Sequence, residues 1–355
     1  MSAGATSPDI GDWAAGAIGI GLGPVHERMR EALVGRGAAR DQLGLYRHLR
    51  YHLGWSDRAG RPVEERGGKG IRPLLCLTAC AAVGGDPERA TGMAAAIELT
   101  HEFSLIHDDL EDRDRQRRGR DTLWTVVGEA QAINAGDALF SIARQQIADP
   151  RSELAAEQLL RAYQRYDAAC LELAEGQFLD IDFETAEAVA IEAYLKMVEG
   201  KTGALLGAAA ALGALAGGAG EAEADAFDRF GRALGVGFQM QDDVLGIWGD
   251  PERTGKPAGN DLARRKRSLP VLLAAELPEL AAPLEALYGS GGAPAPDAVA
   301  VLSAAMDAAG IRAQASRVAE AQANAALDAL SSLSLVDAPR RALEALVIGA
   351  VRRDR

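Results

Sequence analysis

The chain has 355 residues, 48% of them hydrophobic, and a formal net charge of −13. That length and apolar content suit a mostly helical globular protein with an ample core, while the acidic balance excludes a general nucleic-acid binder, which needs a basic face. The only cysteines, Cys76, Cys80 and Cys170, give no disulfide framework, fit a reducing cytoplasmic setting and read as buried core thiols.

The first 23 residues lack the basic start and compact apolar core of a signal peptide and read as a loose Gly/Ala arm. Helical patterns run from Pro24 to Val34 and from Ala39 to Leu53. A polar loop, Ser56–Gly68, leads into GGKGIRP at 67–73. Its glycines let a backbone approach a ligand. Lys69 and Arg72 fall near a helix start, where backbone N–H groups favour an anion. Leu74–Val83 reads as an apolar helix, and Glu88–Glu111 as the next.

That second helix delivers SLIHDDLEDRDRQRRGR at 104–120. Asp108 and Asp112 are four apart, so they share a helix face with Cβ atoms about 5–6 Å apart. Like charges at that spacing lower helix stability by a few tenths of a kcal/mol. A divalent cation reverses the sign: Mg²⁺ takes one or two carboxylates and completes its shell with water and phosphate oxygens. Asp109 adjoins the pair. Arg117 and Arg118 follow, the side chain suited to bidentate phosphate binding. Carboxylates for a metal and arginines for a phosphate point to a metal–diphosphate site. His107 abuts Asp108 and is placed to orient it; His101 lies about two turns before the acidic patch.

Asp121–Trp124 caps a further helix expected to reach Ala148, where Asp149-Pro150 ends it. Glu153–Glu175 is helical and leads to GQFLD at 176–180, with Gln177 and Asp180 at helical spacing. The segment Ala186–Gly220 holds Lys201-Thr202 inside an apolar run, where a lysine must snorkel to water or meet an anion. Its Ala/Gly-rich part fits close helix packing rather than a membrane span. Glu221–Trp248 delivers a second carboxylate pair, Asp242 and Asp243, in FQMQDD. The loop Gly249–Lys266 is charged and Gly/Pro-rich, which suits a flap over a ligand, and carries Lys256, Arg264, Arg265 and Lys266. Four helical stretches follow: Val271–Glu276, Pro296–Ala309, Arg312–Leu333 and Ala338–Val351. No strand pattern of real length, fixed-period repeat or domain boundary is visible. The expectation is one all-α domain over 24–355.

Five blocks in order carry a resemblance: GGKGIRP at 67–73, HEFSLIHDDLED at 101–112 with RRG at 117–119, GQFLD at 176–180, KTG at 201–203, and the run from FQMQDD to Leu269-Pro270. On these the chain resembles the trans-isoprenyl diphosphate synthases, the polyprenyl synthetase group, from about Gly67 to Pro270. The resemblance implies a single bundle of about ten or more helices around a central cavity, with the two acidic helices facing across its mouth. It implies Mg²⁺, commonly three ions in that family, clamping an allylic diphosphate. By similarity, Asp108, Asp112 and Asp242 are direct ligands, and Asp109 and Asp243 are ligands or lie just behind them. Arg117, Lys201, Gln239, Lys256 and Lys266 reach the allylic diphosphate or its metals. Lys69, Arg72, His101 and Arg118 hold the diphosphate of isopentenyl diphosphate, and Thr202 lies beside the reacting carbons. A homodimer in the cytoplasm is expected.

Two departures stand out. The second motif of that family is D-D-x-x-D; here it is Asp242-Asp243-Val244-Leu245-Gly246, with Asp250 the next carboxylate. The family's G-G-K-R-x-R-P has Gly70 in place of its first arginine. Phe103, five before Asp108, with Ser104 beside it, corresponds to the residues that floor the product cavity, and its bulk implies short products, C20 first and C15 next. Two rival readings share parts of the pattern. A class I terpene cyclase needs no second diphosphate site, so Lys69, Arg72, His101 and Arg118 favour a synthase. A non-catalytic modulating subunit loses its aspartates, whereas the first motif is intact here.

Overall fold

The computed structural model describes residues 21–34, 43–63, 70–251, 257–289 and 294–351. The chain divides into two compact units. One gathers residues up to Asp167 with 208–227 and 333–345; the other takes 168–207, 228–332 and the residues from 346 onward. Almost every regular element is a helix, as the sequence implies.

The first unit opens with α1 (Gly23–Val34), α2 (Gly44–His52), α3 (Ile71–Ala82) and α4 (Thr91–Glu111). Helix α3 and the first two turns of α4 are apolar nearly all round, and the buried residues of the two helices include Leu74, Leu75, Leu77, Met93, Ile97 and Leu99. A helix with no polar face belongs in a core. Beyond α4 the chain forms a small hairpin, β1 (Gln116–Arg117) paired antiparallel with β2 (Arg120–Asp121). Arg118 and Gly119 join the strands at φ 52° and 75°, the positive-φ pair of a two-residue hairpin turn. Strands this short leave no periodicity to read, so the sequence did not announce them. Helices α5 (Leu123–Val127) and α6 (Glu129–Gln146) follow. The sequence pattern reads as one helix, but Gly128 at φ 85°, ψ 159° breaks it.

Next come α7 (Ala156–Thr185), α8 (Ile191–Val198), α9 (Ala204–Ala216) and α10 (Glu221–Trp248). The Ala/Gly-rich stretch packs tightly, as expected: a Cβ at Gly213 would lie 2.0 Å from the Cys76 carbonyl oxygen of α3. All three cysteines are buried free thiols. Helix α7 runs without interruption through GQFLD.

In the second unit a π-turn, Glu199–Gly203, joins α8 to α9; such turns recur at functional positions. Helix α10 lies against α9 at glycine, since a Cβ at Gly231 would fall 2.3 Å from the Leu206 carbonyl oxygen. Arg232 fastens the unit through Glu172 and Asp228, at 2.5 and 2.7 Å. The chain continues through α11 (Asn260–Ala263), α12 (Leu269–Ala275), α13 (Ala281–Tyr288), α14 (Pro296–Ala308), α15 (Ile311–Leu330) and α16 (Asp337–Val351). Helix α13 was not anticipated; its eight residues give little more than two turns of pattern. No described helix is long and apolar enough to cross a membrane.

Candidate functional site

Helix α4 sets the geometry of the first acidic motif. It ends in a Schellman closure: Asp114 N donates to the Asp109 carbonyl, Arg113 N to that of Leu110, and Arg113 takes φ 57°. Asp108, Asp109, Glu111 and Asp112 therefore crowd the last turn and cap, with no basic residue in that turn. A helix C-terminus already carries a negative partial charge, so the arrangement disfavours itself and favours a cation. The two adjacent aspartates differ in use. Asp109 is 2% exposed and accepts a hydrogen bond from Arg117 Nε at 2.7 Å. Burial pushes its carboxyl up against the opposing pull of Arg117. Asp108 is half-buried and Asp112 exposed. Of the predicted set, Asp109 holds the hairpin, and Asp108 with Asp112 remains at the solvent-facing helix end.

The hairpin brings three arginines beside α4. Arg117 meets Asp109; Arg118 Nη1 lies 3.3 Å from Glu102 Oε1; Arg120 stacks over the Tyr51 ring at 4.5 Å. With His52 from α2 they line a cavity of about 70 Å³. Glu102 Oε2 lies 3.0 Å from His52 Nε2, and both side chains are almost wholly buried. Burial works to raise Glu102, but the contact with His52 and the charge of Arg118 outweigh it and bring it down to about 2. One turn earlier, burial and the charge of Glu102 push Glu98 up to about 7. Burial and Arg72 together hold His101 well below the usual histidine range. Arg72 sits in the first turn of α3. Lys69 lies outside the described residues. His52, Glu98 and Glu102 escaped the sequence reading. The two glutamates lie four apart, directly after the apolar start of the helix, which was the available signal.

Phe103 stands in a ring cluster: Phe140 of α6 at 5.0 Å between centroids, and His107 edge-on at 5.8 Å. The Ser104 hydroxyl donates to the His101 carbonyl at 2.8 Å. His107 turns toward α6 rather than orienting Asp108. Its Nε2 lies 3.3 Å from the Ile133 carbonyl, and the missing side chain of Gly136 makes room for the ring.

In the second unit Asp243 is 1% exposed and fully engaged. It accepts from Tyr194 Oη at 2.7 Å, Leu269 N at 3.1 Å and Gln239 Nε2 at 3.1 Å, with Lys266 Nζ at 4.0 Å. Thr202 extends the chain, donating to Gln239 Oε1 at 3.2 Å. Thr202 is buried, and Asp242 beside the network is half-buried. The division seen in α4 recurs: the second aspartate is a buried structural anchor and the first is half-buried. Tyr194 carried no sequence signal. Lys201 pairs with Asp180 at 2.5 Å. Burial works to raise the Asp180 carboxyl, but Lys201, Lys266 and Arg264 bring it below the usual range. Two glycines create that pairing, since a Cβ at Gly176 would lie 2.1 Å from Lys201 N and one at Gly200 2.6 Å from the Glu172 carbonyl. Lys256 lies outside the described residues.

The residue that replaces the last aspartate of the second motif has a structural partner. A Cβ on Gly246 would fall 2.2 Å from Asp261 Oδ2. The Asp261 carboxylate thus lies against the position where a 246 side chain would begin. Asp250, the carboxylate noted from sequence, is exposed in the loop.

Among the described residues, no three His, Cys, Asp or Glu side chains are gathered to hold an ion by themselves. That donor set still fits Mg²⁺, which binds through one or two carboxylates plus phosphate oxygens and waters. The carboxylates at the negative end of α4 are the fitting observation.

These features define an almost wholly helical protein with two acidic helix segments, each accompanied by basic side chains. The chain belongs to the polyprenyl synthetase family, whose profile matches residues 55–306. It is 48% identical over 221 residues to a (2E,6E)-farnesyl diphosphate synthase of Mycobacterium tuberculosis, a match covering 62% of this chain and 60% of that protein. It is 44% identical over 281 residues to a geranylgeranyl diphosphate synthase of the same species, covering 79% of each. In structure it is similar to a geranylgeranyl pyrophosphate synthase of Corynebacterium glutamicum solved with isoprenyl diphosphate and magnesium. That similarity has a TM-score of 0.79 at 28% identity, over 98% of this chain and all of that one.

Proposed function

We propose that the chain is a short-chain trans-prenyltransferase that joins isopentenyl diphosphate to allylic diphosphates, with geranylgeranyl diphosphate as product and farnesyl diphosphate next. The observation that carries the reading is the end of α4, where Asp108 and Asp112 stand at a negative helix terminus beside a hairpin presenting Arg117 and Arg118. Family membership and the similar synthases support it. The domain responsible is proposed to run from 24 to 355.

Asp108, Asp112 and Asp242 would hold Mg²⁺, supported by their partial or full exposure beside the buried Asp109 and Asp243 and by the magnesium in the similar C. glutamicum structure. Three ions is the expected number. When bound, Mg²⁺ neutralises the charge that builds on a departing diphosphate. Asp109 and Asp243 act one step behind: Asp109 fixes Arg117, and Asp243 fixes Gln239 and Tyr194. Arg117, Lys201, Gln239, Lys256 and Lys266 donate to the allylic diphosphate; Lys69, Arg72, His101 and Arg118 hold that of isopentenyl diphosphate. Breaking the allylic C–O bond gives an allyl cation and inorganic diphosphate, whose charge the basic side chains stabilise. The alkene of isopentenyl diphosphate attacks the cation, and the released diphosphate takes the proton that is lost. Thr202, buried and bonded to Gln239, holds that glutamine's orientation. Phe103 with Phe140 sets product length.

A homodimer is proposed, supported by Leu171, Phe178 and Ile181, which are exposed along one side of α7. The buried free thiols suit action in the cytoplasm. The test is incorporation of labelled isopentenyl diphosphate with a C15 allylic diphosphate. Incorporation should need Mg²⁺ and fall at least about 100-fold in Asp108→Asn and Asp242→Asn. Unchanged incorporation in both would overturn the assignment.

A further inference from the structure

Arg118 sits at the tip of the hairpin, at φ 52°, a left-handed conformation that a β-carbon disfavours. Its side chain is 42% exposed, and Nη1 is held at 3.3 Å by Glu102. A long side chain on a two-residue turn would otherwise sample many rotamers. Glu102 differs from a surface partner. It is 4% exposed, on the interior of α4, and cannot turn to water. Its second oxygen lies 3.0 Å from Nε2 of His52, itself buried and reaching from α2, an ion-pair contact without hydrogen-bond geometry. The carboxylate therefore has a basic group on each side, and its Oε1 offers the guanidinium one buried seat. Asp109 provides the same service for Arg117 at 2.7 Å, so the hairpin is pinned to α4 at two successive arginines.

We infer that Glu102, buried on α4 beside His52, is a positioning residue that holds Arg118 ready for the diphosphate of isopentenyl diphosphate, and so sets the affinity for that substrate and not for the allylic one. The inference rests on the proposed role of Arg118. A guanidinium already seated loses less freedom when the anion arrives, and that saving appears as affinity. Only one of its five N–H donors is needed for the carboxylate. The others remain for phosphate oxygens.

The test is a calorimetric titration of isopentenyl diphosphate into wild type, Glu102→Gln, Arg118→Ala and the double variant, with thermal melts on each. Glu102→Gln should weaken binding about tenfold, Arg118→Ala should weaken it at least as much, and the double variant should match Arg118→Ala. Affinity for an allylic diphosphate with Mg²⁺ should not change in Glu102→Gln. If Glu102→Gln does not fold, Glu102→Met keeps the length without a buried unpaired charge and should give the same pattern. If Arg118→Ala weakens binding and Glu102→Gln does not, the positioning role is wrong while the substrate site stands. An equal Glu102→Gln loss with and without Arg118 also overturns it, because the effect then bypasses the arginine. If Arg118→Ala binds as wild type, the role of Arg118 fails and the inference falls with it.

Discussion

Glu98 offers a direct check on the electrostatics of the α4 wall. It is 8% exposed, one turn from the ionised Glu102, and titrates at about 7 rather than the ordinary 4.5. Ionising it inside the folded chain therefore costs about 3 kcal/mol. The folded chain keeps a proton that the unfolded chain releases between those values. Stability accordingly falls as pH rises through that window, and the full penalty applies above it. Glu98→Gln is neutral at every pH and removes the penalty. Melting temperatures of both proteins measured from pH 4 to pH 8 should coincide near the acid end. At pH 8 the variant should melt higher by about 4 °C, taking roughly 1.3 °C per kcal/mol for a chain of 355 residues. A difference that does not change with pH would refute the reasoning. It would mean that Glu98 stays ionised in the fold, with Arg72 and Arg118 balancing its burial.

Tyr194→Phe removes the Oη donor to Asp243 and should lower stability by about 1–2 kcal/mol in urea unfolding; prenyl transfer should fall with it, because the same carboxylate orients Gln239. Gly246→Asp restores the family's usual second motif in sequence, yet its Cβ would meet Asp261. It should lower the melting temperature and fail to raise Mg²⁺-dependent turnover; a more active, equally stable variant would contradict this. Phe103→Ala opens the ring cluster with Phe140 and should lengthen the product. An unchanged product profile would remove Phe103 from the account of chain length.

The sequence made the helices legible where they were long and bounded. Glu221–Trp248 was delimited to the residue, because its apolar stripe ran between a glycine and the Gly249 turn. It missed Gly128, whose positive φ splits α5 from α6 while the flanking residues remain good helix formers. It also missed the hairpin, which is a local turn preference rather than a pattern. The motifs picked out the acidic residues and arginines along the chain. They could not distinguish Asp108 from Asp109, or Asp242 from Asp243, because adjacent identical residues differ only by the helix face they occupy. Their different burial comes from partners far away in sequence: Arg117 for one, Tyr194 and Leu269 for the other. The same holds for Gly246. In sequence it is a lost carboxylate, whereas in space it abuts Asp261.

The central claim is that the chain elongates allylic diphosphates to a short product, and product analysis tests it most directly. The purified protein, with Mg²⁺ and isopentenyl diphosphate, is incubated separately with C5, C10 and C15 allylic diphosphates. The products are dephosphorylated and read by mass spectrometry. Linear C20 alcohol, with C15 as the lesser product, is the predicted result. Absence of any elongated chain from all three starters would contradict it; hydrocarbon formed from a C15 or C20 substrate alone would point instead to a cyclase.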